Sequence, residues 1–170
     1  ENLPELVIGI DICEDLWMPI PPSCYHAMAS ATVIANLSAS DETTGKDLYR
    51  RELVKNQSAR LVSGYIYADA GEGESSTDLV FAGHNLIAEN GSILAETKRF
   101  ENGIAISEID LGKLVSERRR MSTFTINAPE ENGYEVTAFE FKNIGDTILT
   151  RYSEKTPFVP NDKNDRNRRC

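Results

Sequence analysis

A nearly continuous apolar run that ends in a cysteine constrains the fold of this chain more than any other feature. Residues 6–12 read Leu-Val-Ile-Gly-Ile-Asp-Ile, and Cys13 follows them directly. A strand with one face in water alternates apolar and polar residues, whereas a strand covered on both faces need not alternate. We therefore predict a β-strand that is buried on both faces and carries Cys13 at its carboxyl end.

The segments that follow alternate between helical and extended patterns. Pro19, Pro21 and Pro22 come just before a short helical segment, and proline is tolerated in the first turn of a helix. The periodicity predicts a helix over residues 23–29, a buried strand over 32–39, a helix over 47–62 and a strand over 65–70. The apolar positions of the second helix are expected to be Leu48, Leu53, Val54 and Leu61. This alternation is an α/β layout.

A hairpin is predicted in the second half of the chain. Asn90-Gly91 favours a positive-φ turn between the apolar segments 86–88 and 93–95. Beyond it we predict a strand over 103–110, a helix over 111–120, a loop over 127–133 and a strand over 134–142. Residues 161–170 are polar and charged, which predicts a linker or tail after a domain that covers 1–160.

The composition bounds the class of protein. The chain has 170 residues, of which 40% are hydrophobic, and this is enough for one domain with a core. A net charge of -9 argues against nucleic acid as a partner, because phosphate binding needs clustered Lys and Arg. No apolar stretch is long enough for a membrane span, and no secretion signal precedes the first strand. We therefore expect a cytoplasmic protein without a membrane partner.

The cysteines and histidines do not form a recognisable metal or disulfide pattern. Cys13, Cys24 and Cys170 are odd in number and unevenly spaced. His26 and His84 are far apart in sequence, and we expect ordinary packing or surface roles for both. No metal is expected.

Cys13 fits a nucleophile from its position. It projects from the end of a rigid strand, and the N-terminus of a following helix would favour the thiolate and supply N–H groups for an oxyanion. The same position also fits a buried structural cysteine, since unpaired cysteine is among the most buried residue types. Position alone leaves both alternatives open.

The residues around Cys13 resemble a known family. Residues 10–17, Ile-Asp-Ile-Cys-Glu-Asp-Leu-Trp, and Pro-Ile-Pro-Pro-Ser at 19–23 closely resemble the nucleophile segment of glutamine-dependent NAD synthetases, within the nitrilase (carbon-nitrogen hydrolase) superfamily. Later segments that resemble the same family are 35–40, Gly45-Lys46, Arg50-Arg51, 67–70, the acidic loop 71–78, 100–110 and 156–160. The resemblance covers most of the chain.

The resemblance implies a fold and a reaction. The fold would be part of a nitrilase-type four-layer α-β-β-α sandwich, and the chain would be the C-terminal part of a glutaminase domain. Cys13 would attack the side-chain amide of glutamine, form a thioester and release ammonia. In the family a Glu base and a Lys that stabilises the oxyanion lie well upstream of the cysteine, whereas only twelve residues precede Cys13 here. We therefore expect the 170-residue piece alone to be inactive.

The resemblance also implies residues that bind the substrate. Glu14, Ser40 and Lys46 occupy positions that match the glutamine-binding residues of the family. Without the resemblance, Ser40 fits an ordinary loop hydroxyl and Lys46 a solvated charge at a helix start. Trp17 is expected to pack in the core or line the pocket.

The implied partners are L-glutamine, a synthetase domain of the same polypeptide and further copies of the chain in a homo-oligomer. No cofactor is expected in this chain, and ATP and deamido-NAD would be substrates of the full-length ligase. Two alternatives remain open, namely a stand-alone nitrilase-family amidase and a non-catalytic assembly fragment. Half of a sandwich leaves a sheet face uncovered, which favours association.

Overall fold

The computed structural model describes residues 3–74, 77–126, 133–140, 147–153 and 159–169. The strands and helices are β1 Ile8–Ile12, α1 Ser23–Met28, β2 Val33–Ser38, α2 Lys46–Leu61, β3 Gly64–Asp69, β4 Leu86–Glu89, β5 Ser92–Glu96, α3 Leu111–Arg120, α4 Ser122–Ile126 and α5 Lys163–Arg169. A short 3-10 helix, Cys13–Trp17, directly follows β1. The predicted α/β class is confirmed.

The five strands form one sheet in the order β1-β2-β3-β4-β5. β1, β2 and β3 are parallel, and β4 and β5 are antiparallel to their neighbours. The predicted hairpin between β4 and β5 is confirmed, with φ of 43° at Asn90 and 84° at Gly91. Both central residues of this turn type need positive φ, which explains why Asn-Gly occupies it.

One face of the sheet carries the core. Ile34, Tyr65, Tyr67 and Leu86 point to this face and are almost completely buried. Val54 and Leu61 of α2 and Ala27 of α1 pack in the same cluster. Trp17 also packs against it, in agreement with the prediction for that residue.

The opposite face is open along β1 and beside it at Leu37, which corrects the prediction for β1. Ile8, Ile10 and Ile12 are 44%, 61% and 66% exposed, and Leu37 beside Ile12 is 57% exposed. The apolar run predicted a strand covered on both faces, but in the described residues the isoleucines of β1 are left largely in solvent. Ile8, Ile10, Ile12 and Leu37 form a surface that we call the open face.

Helix α2 buries a more polar side than predicted. Val54 and Leu61 are buried as expected, and Leu53 is partly buried against the core. Leu48 is 67% exposed, so its predicted place on the buried side is wrong. Arg50 is fully buried instead, because the first turns of α2 pack over polar side chains at the strand ends rather than over the apolar core.

Two predicted strands are not formed in the described residues. Residues 103–110 carry no strand pairing. The Ile109 side chain instead packs on Gly64, where a side chain on that glycine would come within 2.7 Å of Ile109 Cδ1. A residue that packs on the face of a strand takes no part in the hydrogen-bond ladder between strands. Residues 134–140 are likewise irregular, and 141–142 lie outside the described residues.

Helix α3 has its predicted bounds and is anchored by one buried arginine. The Arg118 guanidinium donates to the carbonyl oxygens of Leu61, Val62 and Ala31 at 2.6–3.2 Å. Burial lowers the pKa of Arg118 to about 10. Arg118 therefore ties α3 to the end of α2 and to the turn before β2.

The terminal segment 161–169 contains α5, whose side chains are all exposed. Most of the predicted loop 127–133 and the segment 156–158 lie outside the described residues. Among the helices that the structure describes, none combines the length and the apolar character needed to cross a membrane.

Candidate active site

The carboxyl ends of the three parallel strands meet at one edge of the sheet. Cys13 follows β1, Ser38 ends β2 and Asp69 ends β3. The pairing of Ile12 with Leu37 and of Ser38 with Asp69 fixes the relative positions of these ends. Open parallel sheets place ligands at such edges, so this edge is the candidate site.

Cys13 has an unusual backbone conformation. Its φ of 47° lies in the left-handed region that few residues other than glycine adopt. The Asn36 side-chain amide donates to the Cys13 carbonyl at 3.4 Å, and the Asp15 carboxylate accepts from the Ile12 N–H at 2.7 Å. These bonds hold the sharp turn in which the partly exposed thiol lies. Such outliers cluster at active sites.

A row of hydroxyl groups runs from the thiol into the next two strands. The Ser38 hydroxyl donates to Cys13 Sγ at 3.6 Å and lies 2.7 Å from the Tyr67 hydroxyl. The Ser40 side chain lies close to the same phenol. Burial raises the pKa of Tyr67, although the Ser38 and Ser40 side chains lower it. We call Ser38, Tyr67 and Ser40 the hydroxyl chain.

A second buried polar row lies beneath the Cys13 turn. The Tyr65 hydroxyl donates to Asp11 Oδ2 at 3.1 Å, and Asn36 Nδ2 lies 3.5 Å from the Tyr65 oxygen. Burial raises the pKa of Asp11, although hydrogen bonds from Ser23 and Tyr65 lower it. This row connects β1, β2 and β3 through side chains, and Asn36 joins it to the Cys13 carbonyl.

Ser40 lies in the loop after β2 and is 5% exposed. Its N–H donates to Asp69 Oδ1 at 3.1 Å. Burial raises the pKa of Asp69, although the Ser40 N–H and the charge of Arg50 lower it. Arg50 lies 3.9 Å from Asp69 and donates to Glu42 at 2.8 Å. The loop that carries Ser40 is thus held by buried charges.

Lys46 begins α2 beside the 3-10 helix. Its Nζ donates to Asp41 Oδ1 at 2.6 Å and lies 5.3 Å from the centroid of the Trp17 ring. The hydrogen bond from Lys46 lowers the pKa of Asp41. Tyr49 packs edge-on against Trp17 with ring centroids 5.2 Å apart. Lys46 is therefore a half-buried cation close to the segment that begins with Cys13.

The structure brings some of the predicted site residues together and leaves one apart. Hydrogen bonds join Cys13 to Ser38 and Ser38 to Tyr67, and Ser40 lies close to Tyr67. Lys46 lies near Trp17 of the Cys13 helix. Glu14 is exposed and bonds none of the described residues. The helix predicted to support the thiolate begins at Ser23, whereas Cys13 itself starts a five-residue 3-10 helix. Support of the thiolate by a helix N-terminus therefore stays a prediction.

Sequence reasoning missed Ser38, Tyr67, Asn36 and Asp69. The strand register was the signal that could have found Ser38, because the residue after Leu37 must lie beside the residue after Ile12. Asn36 and Tyr67 lie on the core face of β2 and β3, and Asp69 ends β3. At these positions a polar group stands out in an apolar strand. Among the described residues, no group of acidic, His or Cys side chains suits a metal ion.

Curated proteins similar to this chain share one name. A glutamine-dependent NAD(+) synthetase of Mycobacterium tuberculosis is 44% identical over 171 aligned residues, which cover 95% of this chain and 25% of that protein. The synthetase of Thermotoga maritima is 31% identical over 66% of this chain and 20% of its own length. The chain thus spans about a quarter of the length of the relatives that it matches. No family model matches the chain.

Solved structures agree with the fold. A glutamine-dependent NAD(+) synthetase from Cytophaga hutchinsonii superimposes with a TM-score of 0.51 at 30% identity, covering 60% of this chain and 16% of that one. A carbon-nitrogen hydrolase from Helicobacter pylori superimposes with a TM-score of 0.55 at 19% identity, covering 71% of this chain and 45% of that one. This chain is therefore related by sequence to a segment of the glutamine-dependent NAD(+) synthetases, and it has the fold of the nitrilase superfamily.

Proposed function

We propose that this chain supplies the nucleophile and part of the substrate-binding wall of a glutaminase that delivers ammonia to an NAD synthetase. The observation that carries the proposal is the position of Cys13 at the carboxyl end of β1, in a left-handed turn with a hydroxyl donor on its sulfur. The relatives that match this segment are named glutamine-dependent NAD(+) synthetases. Position and relationship together favour a nucleophile over a structural cysteine.

In the proposed reaction, the Cys13 thiolate attacks the side-chain carbonyl of glutamine. A carbon–sulfur bond forms, the carbon–nitrogen bond breaks, and the nitrogen leaves as ammonia after it gains a proton. Water then cleaves the thioester to give glutamate and the thiol. Splitting amide hydrolysis into these two steps lowers the barrier of each.

We propose Glu14, Ser40 and Lys46 as glutamine-binding residues. Free glutamine carries both a carboxylate and an ammonium group, so its site needs partners of both charges or good hydrogen bonds. Lys46 is a cation close to the Cys13 segment, Ser40 is a buried residue close to Tyr67, and Glu14 is the exposed carboxylate next to the nucleophile.

We further propose the partners that a ligase of this kind requires. A synthetase domain of the same polypeptide would use ATP and deamido-NAD, neither of which is assigned to residues of this chain, and copies of the chain would form a homo-oligomer. A cytoplasmic location fits, because a nucleophilic thiol must stay reduced.

Ammonia release from glutamine by the complete gene product tests the proposal. Cys13→Ala is expected to reduce the rate by at least about a thousandfold, because the covalent step is lost. Cys24→Ala is the matched control, since Cys24 is a half-buried thiol on α1, and its rate should stay near that of the unchanged protein. Unchanged ammonia release by Cys13→Ala, or hydrolysis of other amides but not of glutamine, contradicts the proposal.

A further inference from the structure

The sulfur of Cys13 has a hydrogen-bond donor that the proposed reaction does not yet use. Among the described residues, the Ser38 hydroxyl is the group that bonds Sγ, at 3.6 Å. We propose that Ser38 is a further catalytic residue, which stabilises the thiolate of Cys13 through a hydroxyl that Tyr67 orients.

The hydroxyl chain gives this bond its direction. The Tyr67 and Ser38 hydroxyls lie 2.7 Å apart, and the Ser38 hydroxyl donates to Cys13 Sγ. Because Ser38 has one hydroxyl proton, Tyr67 is the donor in the bond between the two hydroxyls. Burial raises the pKa of Tyr67, so the phenol keeps its proton at neutral pH. Donors aligned in one direction strengthen each other.

The position of Ser38 is fixed by the sheet. Ser38 pairs with Asp69 of β3 and follows Leu37, which pairs with Ile12. The Asn36 amide holds the carbonyl of Cys13 from the same strand. A donor on a paired strand keeps its distance to the reacting atom better than a donor on a loop.

Other charged groups surround the site without bonding the sulfur. Asn36, Leu37 and Ser38 contribute no charge from β2. The titratable and charged side chains nearest the Cys13 helix are Asp11 on β1, Glu14 and Asp15 on the helix itself, Lys46, Tyr49 and Arg50 on α2, and Tyr65, Tyr67 and Asp69 on β3. These charges stay the same in every Ser38 variant. A substitution of Ser38 therefore reports the effect of the hydrogen bond to Cys13 alone.

The rate at which iodoacetamide alkylates Cys13, measured against pH, tests the proposal. Only the thiolate reacts, so the midpoint of the profile reports how strongly the site favours it. The complete gene product is digested after glutamate, which releases residues 6–14 with Cys13 as the sole cysteine. Ser38→Ala should move the midpoint up by about one pH unit, as expected for one lost hydrogen bond to an anion.

Three variants separate the hydroxyl from packing. Ser38→Thr keeps a hydroxyl and should restore most of the shift, and Tyr67→Phe should give a smaller shift than Ser38→Ala. Ser63→Ala is the matched control, because it removes another buried serine hydroxyl at the opposite end of β3, and it should leave the profile unchanged. A midpoint that does not move in Ser38→Ala, or equal shifts in the Ala and Thr variants, overturns the proposal. If Ser38→Ala does not fold, the Tyr67→Phe profile decides.

The catalytic use of Ser38 rests on the proposed glutaminase function, but the alkylation profile does not. In the ammonia assay Ser38→Ala should lower kcat about tenfold with little change in KM. An unmoved alkylation midpoint with an inactive Cys13→Ala variant refutes the role of Ser38 alone. A moved midpoint with an active Cys13→Ala variant refutes the glutaminase proposal alone.

Discussion

Ser40 and Lys46 test the glutamine-binding wall at the scale of single residues. Each should contribute a contact of roughly 1–2 kcal/mol to bound glutamine, so Ser40→Ala and Lys46→Met should raise KM about tenfold or more. Thr43→Ala, in the exposed part of the same loop, is the control and should leave KM unchanged. KM is measured from initial rates of ammonia release at a series of glutamine concentrations. A KM that stays constant in both variants removes these residues from the binding site.

Asp69 should make stability depend on pH. Burial raises the pKa of Asp69 above its value in the unfolded chain, so the folded chain holds the proton more tightly. The stabilisation that comes from this tighter proton binding is fully present below the pKa of Asp69 in the unfolded chain. It is lost as the pH rises through the pKa of Asp69 in the folded chain. Each unit of that shift corresponds to about 1.4 kcal/mol.

The Asp69→Asn variant removes this dependence. Relative to the unchanged protein, the variant should gain stability between pH 4 and pH 7, as measured by urea unfolding at each pH. Asp78→Asn controls for the loss of one negative charge, because Asp78 is exposed. The prediction is contradicted if the difference in unfolding free energy between Asp69→Asn and the unchanged protein is the same at pH 4 and pH 7. Asp69 would then ionise as easily in the folded chain as in the unfolded chain.

The sequence predicted Cys13 at a strand end but not the groups that bond it. Strand ends follow from local apolar patterns, which a single sequence carries. The contact between Ser38 and Cys13 depends instead on the pairing of β1 with β2 across 25 residues, and register is a tertiary property. Asp69 and Arg50 were missed for the same reason, since their burial depends on how α2 packs on the sheet.

At the scale of elements, Arg118 should decide whether α3 stays docked. It donates to three carbonyl oxygens that would otherwise be buried without a partner. Arg118→Ala should therefore lower the unfolding free energy by about 2–4 kcal/mol. Arg119→Ala, one residue further along the same helix and exposed, should change it by less than about 0.5 kcal/mol. Denaturant unfolding checks both, and equal effects of the two variants would contradict the anchoring role.

Helices and turns, which follow from local sequence patterns, were predicted well. Strands that need a partner strand for pairing were predicted less well. The Asn-Gly turn, α2 and α3 carry their own turn chemistry or helical period, and their bounds agree with the structure within about a residue. Residues 103–110 have a strand-like pattern, but strand formation needs a second backbone alongside. In the described residues the Ile109 side chain of that segment packs on Gly64 instead.

At the scale of the whole molecule, the open face should drive association. Ile8, Ile10, Ile12 and Leu37 form a contiguous apolar surface on β1 and β2. Surfaces of this kind are costly in water and promote contacts between molecules. The isolated 170-residue chain should therefore associate in light scattering, and Ile10→Glu should shift it toward the monomer. Leu48→Glu, on an equally exposed but isolated apolar residue of α2, is the control. A clean monomer at high concentration contradicts the prediction.

The isolated chain should also lack glutaminase activity. Thioester formation needs a general base and stabilisation of the oxyanion, and loss of either typically costs several orders of magnitude in rate. Among the described residues, neither a carboxylate nor a lysine bonds Cys13 Sγ. We therefore expect ammonia release by the 170-residue chain to be at most about a thousandth of that by the complete gene product. Comparable rates for the two would contradict this expectation.

The central claim is that Cys13 forms a thioester with glutamine, and trapping that intermediate tests it most directly. The complete gene product is mixed with radiolabelled glutamine, quenched in acid within one turnover and digested after glutamate. The label is expected on the peptide of residues 6–14, and it should be absent in Cys13→Ala. Label on the peptide that contains Cys24, or ammonia release without any labelled peptide, would contradict the claim.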